Sequence, residues 1–163
     1  MQLYAIIGAA GTGALIIMEQ DTLYLSFSEI PDASEILFKG EIPGIFVEEA
    51  IRSHSFSMVT RHFHESLELY FLIEGERFYF VEQDTYHLQE HMAILVDQNQ
   101  IHKTCPAGTG KKHHRFLMQL EGPVLDQLLR LCGSVSLEEF GNAYRGITRF
   151  SVDQWAQILS LLT

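Results

Sequence analysis

The stretch from Arg61 to Gly75 restricts the fold of this chain more than any other. Phe56, Met58, Thr60, His62 and His64 recur at every second position, which is the period of a β-strand, so one largely apolar face ends in two imidazoles. Leu67 to Ile73 is apolar almost throughout, as expected of a strand buried on both faces, and Gly75 ends it. A tight turn at Glu65 and Ser66 would bring Glu68 back beside the histidines on a neighbouring strand. Two neutral imidazoles and a carboxylate suit a divalent transition metal such as Fe, Mn, Ni or Zn. His102, at the start of a later strand, is the natural fourth donor.

The rest of the chain supports a mainly β domain with a helical end. Short apolar runs at 22–27, 36–38, 45–47, 77–82, 85–88, 92–96 and 113–120 are punctuated by glycine, proline and polar turns, the pattern of a sandwich or small barrel. Gln83-Asp84 reads as a hairpin turn. After Gly122 the period changes to helical: Val124, Leu125, Leu128 and Leu129 share a face, and Gly133 would end that helix. A second short helix is expected near Leu137 to Tyr144. Ser151 is a helix N-cap for Val152 to Leu162, with Asp153 in its first turn. That last helix runs out at Thr163 without a C-cap signal, as expected of a chain that continues.

At 163 residues the chain is long enough for one well-buried core. Its net charge of -10 argues against gripping a phosphate backbone by itself. The two cysteines, Cys105 and Cys132, make no disulfide framework, which fits a cytoplasmic protein with reduced thiols. Leu3 to Met18 is uncharged, yet shorter than the roughly 20 apolar residues a membrane helix needs. It also lacks the basic start of a signal peptide. Its glycine cluster, Gly8, Gly11 and Gly13, does not have the spacing of a dinucleotide loop. An apolar arm or an edge strand pair is the expectation there.

The pattern His62-x-His64-x3-Glu68-x6-Gly75, followed after a spacer by Met92 to Val96 and His102, resembles the two motifs of the cupin superfamily. The first motif is complete apart from Phe56 at its opening glycine. The second keeps His102; its proline and glycine fall at Asp97 and Asn99, its opening glycine at His91 and its asparagine at Pro106. Asn99 tolerates positive φ, so the turn can survive. More narrowly, Arg61 to Leu120 resembles the effector-binding domain of AraC/XylS-type transcription regulators.

That resemblance implies a cupin (jelly-roll, double-stranded β-helix) barrel at 22–121, preceded by an apolar arm at 1–21 and followed by helices at 122–163 that pair two subunits. It implies a small-molecule effector, a homodimer, and DNA contact only through a helix-turn-helix domain outside this chain, with no membrane partner. It gives two roles for His62, His64, Glu68 and His102: metal ligands, or polar groups that hydrogen-bond an organic effector directly. Phe56, Met58, Tyr70, Phe78 and Phe80 are candidates for an apolar pocket lining. Either His113 or His114 points inward, at most one of them. Arg61, Glu65, His54, His87 and His91 are expected at the surface. No side chain stands out as a catalytic acid, base or nucleophile, so a ligand sensor is preferred to the alternative, a small metal-dependent cupin dioxygenase or isomerase.

Overall fold

The computed structural model describes residues 4–7, 13–19, 22–26, 34–53, 56–110, 112–131 and 136–162. His54, Cys132 and most of the Gly8 to Gly13 cluster lie outside them. The chain divides into two units, 1–32 and 33–163. In the first, β1 (Tyr4–Ile7), β2 (Gly13–Glu19) and β3 (Thr22–Ser26) form an antiparallel meander, with Tyr4 opposite Ile16 and Leu15 opposite Ser26. The residues after Thr22, expected to open the barrel, therefore ladder with β2.

The second unit holds β4 (Glu35–Ile42), β5 (Ile45–Ser53), β6 (Leu67–Glu74), β7 (Arg77–Val81), β8 (Asp84–Leu88), β9 (Met92–Val96), β10 (His102–Pro106) and β11 (Lys112–Leu120). The helices α1 (Gly122–Leu131), α2 (Leu137–Tyr144) and α3 (Val152–Leu162) follow, with one further strand, β12 (Gly146–Arg149), between the last two. Two antiparallel sheets result. The larger has the order β12-β9-β6-β11-β5-β4 and the smaller β10-β7-β8.

Alternation decides what fills the space between them. Tyr70, Leu72, Ile94 and Val96 from the large sheet meet Tyr79, Val81 and Leu88 from the small one in a single buried cluster. Each such side chain contributes about 1.5–3 kcal/mol by leaving water. The outer face of the large sheet is covered by helices. Leu125 and Leu129, one turn apart on α1, bury against Leu67, Leu95 and Leu120. Trp155 of α3 packs over Phe71 and Phe150. Both later helices begin with a reciprocal cap: Ser136 with Glu139, and Ser151 with Gln154. No helix among the described residues is long and apolar enough to cross a membrane.

The expected inner-face stretch 56–64 keeps its alternation without being a regular strand. Phe56, Met58, Thr60, His62 and His64 are half-buried and the residues between them exposed. The backbone joins β10 only intermittently: Met58 N–H donates to the Thr104 carbonyl at 3.1 Å, and His62 and His102 exchange both backbone bonds, at 3.0 and 2.8 Å.

Gly75 closes the β6–β7 turn at φ +97°. A Cβ there would stand 2.8 Å from the Lys112 carbonyl oxygen and 3.2 Å from His113 Cα, both backbone atoms that cannot turn aside. Gly75→Ala is therefore expected to cost at least about 2 kcal/mol, combining left-handed strain with the clash. A urea-denaturation midpoint indistinguishable from that of the parent would refute this account of the turn.

Candidate metal and ligand site

The barrel's inner face carries four of the expected donors at one end. The 56–64 segment supplies His62 and His64, β6 supplies Glu68, and the first residue of β10 is His102. One nitrogen from each histidine can be chosen so that all lie within 4.8 Å of one another. The His62 and His102 rings stand 4.2 Å apart, those of His64 and His102 5.0 Å. Glu68 Oε2 is 3.1 Å from His64 Nε2 and 3.7 Å from His102 Nε2.

Local backbone fixes the tautomers. His64 Nδ1–H donates to the Ser66 carbonyl at 2.8 Å, and His102 Nδ1–H to the Gln100 carbonyl at 2.8 Å. In both neutral rings the lone pair is thereby left on Nε2, the arrangement that orients ligating histidines. His102 Nε2 is buried and has no hydrogen-bond partner among the described residues. A lone pair on His64 Nε2 facing an ionised carboxylate oxygen at 3.1 Å leaves a place for a cation between them. The donor set therefore fits a divalent transition metal.

Electrostatics set the charge of each donor. Burial alone would raise the Glu68 pKa, but the neighbouring His102 and His64 rings and the Tyr79 hydroxyl prevail and hold it well below the usual carboxylate range. Burial, aided by the neighbouring His102, pushes His62 down to about 4, so that imidazole is neutral at neutral pH. Burial works against protonation of His102, but the Glu68 carboxylate outweighs it and raises this pKa. Tyr79 donates its hydroxyl proton to Glu68 Oε1, and Gln119 Nε2–H donates to Oε2 at 3.1 Å. Neither residue stood out in the sequence. The strand period could have found both, since Tyr79 shares a face with Val81 and Gln119 with Leu117.

The expected pocket lining divides. Tyr70 is buried between the sheets, with its ring 5.1 Å from that of Tyr79. Phe56 and Met58 line the half-buried segment, the Phe56 ring tilted against that of His113 at 6.1 Å. Phe78 and Phe80 lie on the outer face of β7, because Arg77, Tyr79 and Val81 take the inner one. Phe78 is 36% exposed against His87, and Phe80 lies under Lys103. Of the histidine pair, His113 is buried and His114 faces out to Glu49 at 2.8 Å. His91 is half-buried against Trp155 rather than at the surface. Asn99 and His91, at the two former glycine positions, adopt φ of 62° and 63°.

Two curled antiparallel sheets enclosing one core, with helices after the last barrel strand, make this a cupin fold. Among solved structures, AerE from Microcystis aeruginosa is similar at TM-score 0.51 and 11% identity, over 59% of this chain and 44% of that one. An RmlC-like cupin with a double-stranded β-helix fold from Methanocaldococcus jannaschii is similar at 0.49 and 13%, over 60% and 89%. The cupin domain of Schizosaccharomyces pombe Cnp3 is similar at 0.49 and 10%, over 64% and 73%. No curated protein matches by sequence. The family model of the AraC-like ligand binding domain matches residues 43–148, most of the chain and nearly all of its barrel, and the chain belongs to that family of ligand-sensing domains.

Proposed function

We propose that this chain is the effector-sensing and dimerisation part of a cytoplasmic AraC-type transcription regulator. A small molecule enters the barrel, a divalent transition metal sits on His62, His64, His102 and Glu68, and a helix-turn-helix domain outside this chain reads DNA. The observation that carries the metal is the unpartnered, buried Nε2 of His102, set among the other donors by its backbone-fixed tautomer. When bound, the ion would supply a Lewis-acidic anchor for an effector atom. The four side chains hold it, and Tyr79 and Gln119 keep Glu68 turned inward. A homodimer is favoured by apolar surface on the helices: Val152 and Leu161 are 72% and 85% exposed. Regulation requires that the effector bind two states of the regulator with different affinity.

Metal analysis by plasma mass spectrometry, on protein purified without a metal-affinity column, tests the centre. The expected result is a near-stoichiometric transition metal that is lost in His62→Ala/His64→Ala. Folded but metal-free parent protein would remove the ion from this reading and leave the histidines as direct effector contacts. The runner-up, a metal-dependent cupin enzyme, draws on the same four side chains. Effector bound and recovered unchanged separates sensor from enzyme.

A further inference from the structure

The inner face carries a second polar cluster, at the opposite end of β6 from Glu68. Side-chain alternation puts Arg52 with Glu48 and Ala50 on β5, Arg115 with His113 and Leu117 on β11, and Arg77 with Tyr79 on β7. The three arginines are buried, at 6%, 7% and 0% exposure. Aromatic rings knit them together. The Arg52 guanidinium lies 4.4 Å from the Phe56 ring centroid and that of Arg77 5.9 Å from it, while Arg115 lies 5.9 Å from the Tyr70 ring.

Among the described residues, Arg77 is the arginine of this cluster with no carboxylate partner. Glu48 pairs with both Arg52 and Arg115. Arg77 spends its Nε–H on Thr104 Oγ1 at 3.1 Å and an Nη1–H on the Phe56 carbonyl at 2.8 Å, both neutral acceptors. Glu68, the fully buried carboxylate among the described residues, is committed to the histidine end. Burial, then the charges of Arg77, Arg115 and Arg52, push His113 down to about 3, so it adds no charge of its own. Four buried polar atoms here have no hydrogen-bond partner among the described residues: Arg77 Nη2, Arg115 Nη1, Tyr70 OH and His113 Nδ1.

Burying cationic charge without a counterion is costly, and buried donors are normally satisfied. Water would satisfy single donors but would bring no countercharge. A carboxylate does both, since its planar pair of oxygens matches the guanidinium fork and accepts a phenol hydroxyl as well. We propose that the effector is a small organic acid whose carboxylate is held by Arg77, Arg115 and Tyr70, with Phe56 beside its apolar part. This rests on the ligand-sensing reading and is independent of the metal.

The test compares acids with their matched amides on the full 163-residue chain. Acetate, phenylacetate, acetamide and phenylacetamide are titrated at neutral pH and constant ionic strength, with chloride and inorganic phosphate as reference anions. Melting temperature and calorimetry are the readouts. Both acids are expected to raise the melting temperature while the amides and chloride do not, with phenylacetate binding more tightly than acetate. Arg77→Gln is expected to weaken phenylacetate about 30-fold or more, the scale for truncating one partner of a buried charged pair.

Acids no better than amides, phosphate preferred to both acids, or silence of every probe up to its solubility limit would overturn the proposal. The smallest carboxylate has to enter if an uncompensated guanidinium is waiting for it. Should Arg77→Gln fail to fold, the acid-against-amide comparison on the parent decides alone. Phenylacetamide binding as well as phenylacetate would remove the carboxylate assignment and leave the sensing reading intact. Acid binding that never alters transcription from the full-length regulator would do the reverse.

Discussion

Trp155→Ala lowers the free energy of unfolding by about 3–5 kcal/mol, the range for deleting a large buried aromatic side chain. Trp155 is 4% exposed. Its ring lies 6.4 Å from Phe71, 5.8 Å from Phe150 and 5.4 Å from His91, so it is the point at which α3 meets the sheet. An isolated helix of this length is marginal in water and depends on such docking. The loss should appear in urea denaturation followed by far-ultraviolet circular dichroism, with amides of α3 losing hydrogen-exchange protection before those of β6. Trp155→Phe should recover much of the deficit. A cost below about 1 kcal/mol, the level of an ordinary surface change, would mean that α3 is held by something else.

The second large effect is acid destabilisation of chelator-treated protein. His113 is pushed down to about 3 and His62 to about 4, against an ordinary histidine value of 6.5. For both, the unfolded chain binds a proton at a pH where the folded one does not. Stability is therefore fully present above about 6.5 and is lost as pH falls towards the folded values. Each proton contributes a slope of about 1.4 kcal/mol per pH unit, so the two together remove several kcal/mol between pH 6.5 and 4. His102 works in the opposite sense: its raised pKa contributes stability present below 6.5 and lost as pH rises through the folded value. Glu68, held low, adds its own loss only below about 4.5. Replacing His113 by glutamine should flatten the slope by about one proton. A slope that is unchanged in His113→Gln would show that His113 is not the buried neutral group described above.

Much of this was legible from the strand period. The alternation over 56–64, the hairpin after β7 (with its turn at Glu82-Gln83, one residue before the expected Gln83-Asp84) and the cap at Ser151 each follow from local chemistry, and Asn99 accepts the positive φ its position requires. Phe78 and Phe80 depart from the expected lining because a strand residue faces where the strand's phase puts it, apolar or not. The phase of β7 is instead set by Arg77, whose complete burial no hydrophobicity rule anticipates. Arg52 and Arg115 escape a sequence reading for the same reason, although each shares its strand face with buried neighbours. β12 gives no signal in the sequence because Gly146 to Arg149 is too short and mixed to mark a strand; its pairing with β9 is a tertiary matter. His91 reads as a surface residue in the sequence because only the fold brings α3 back over it.

The alternation of β6 has a mechanical corollary. Tyr70 stands in the barrel interior beside the arginines, and Phe71, the next residue, lies beneath Trp155 on the far side. The sheet is thus a partition one peptide thick, with the interior on one face and the helical tail on the other. Because both side chains hang from the same strand, a roll of β6 that swings Tyr70 one way must swing Phe71 the other, like two ends of a rocker. Any such roll would register on both faces at once, at the barrel interior and at α3.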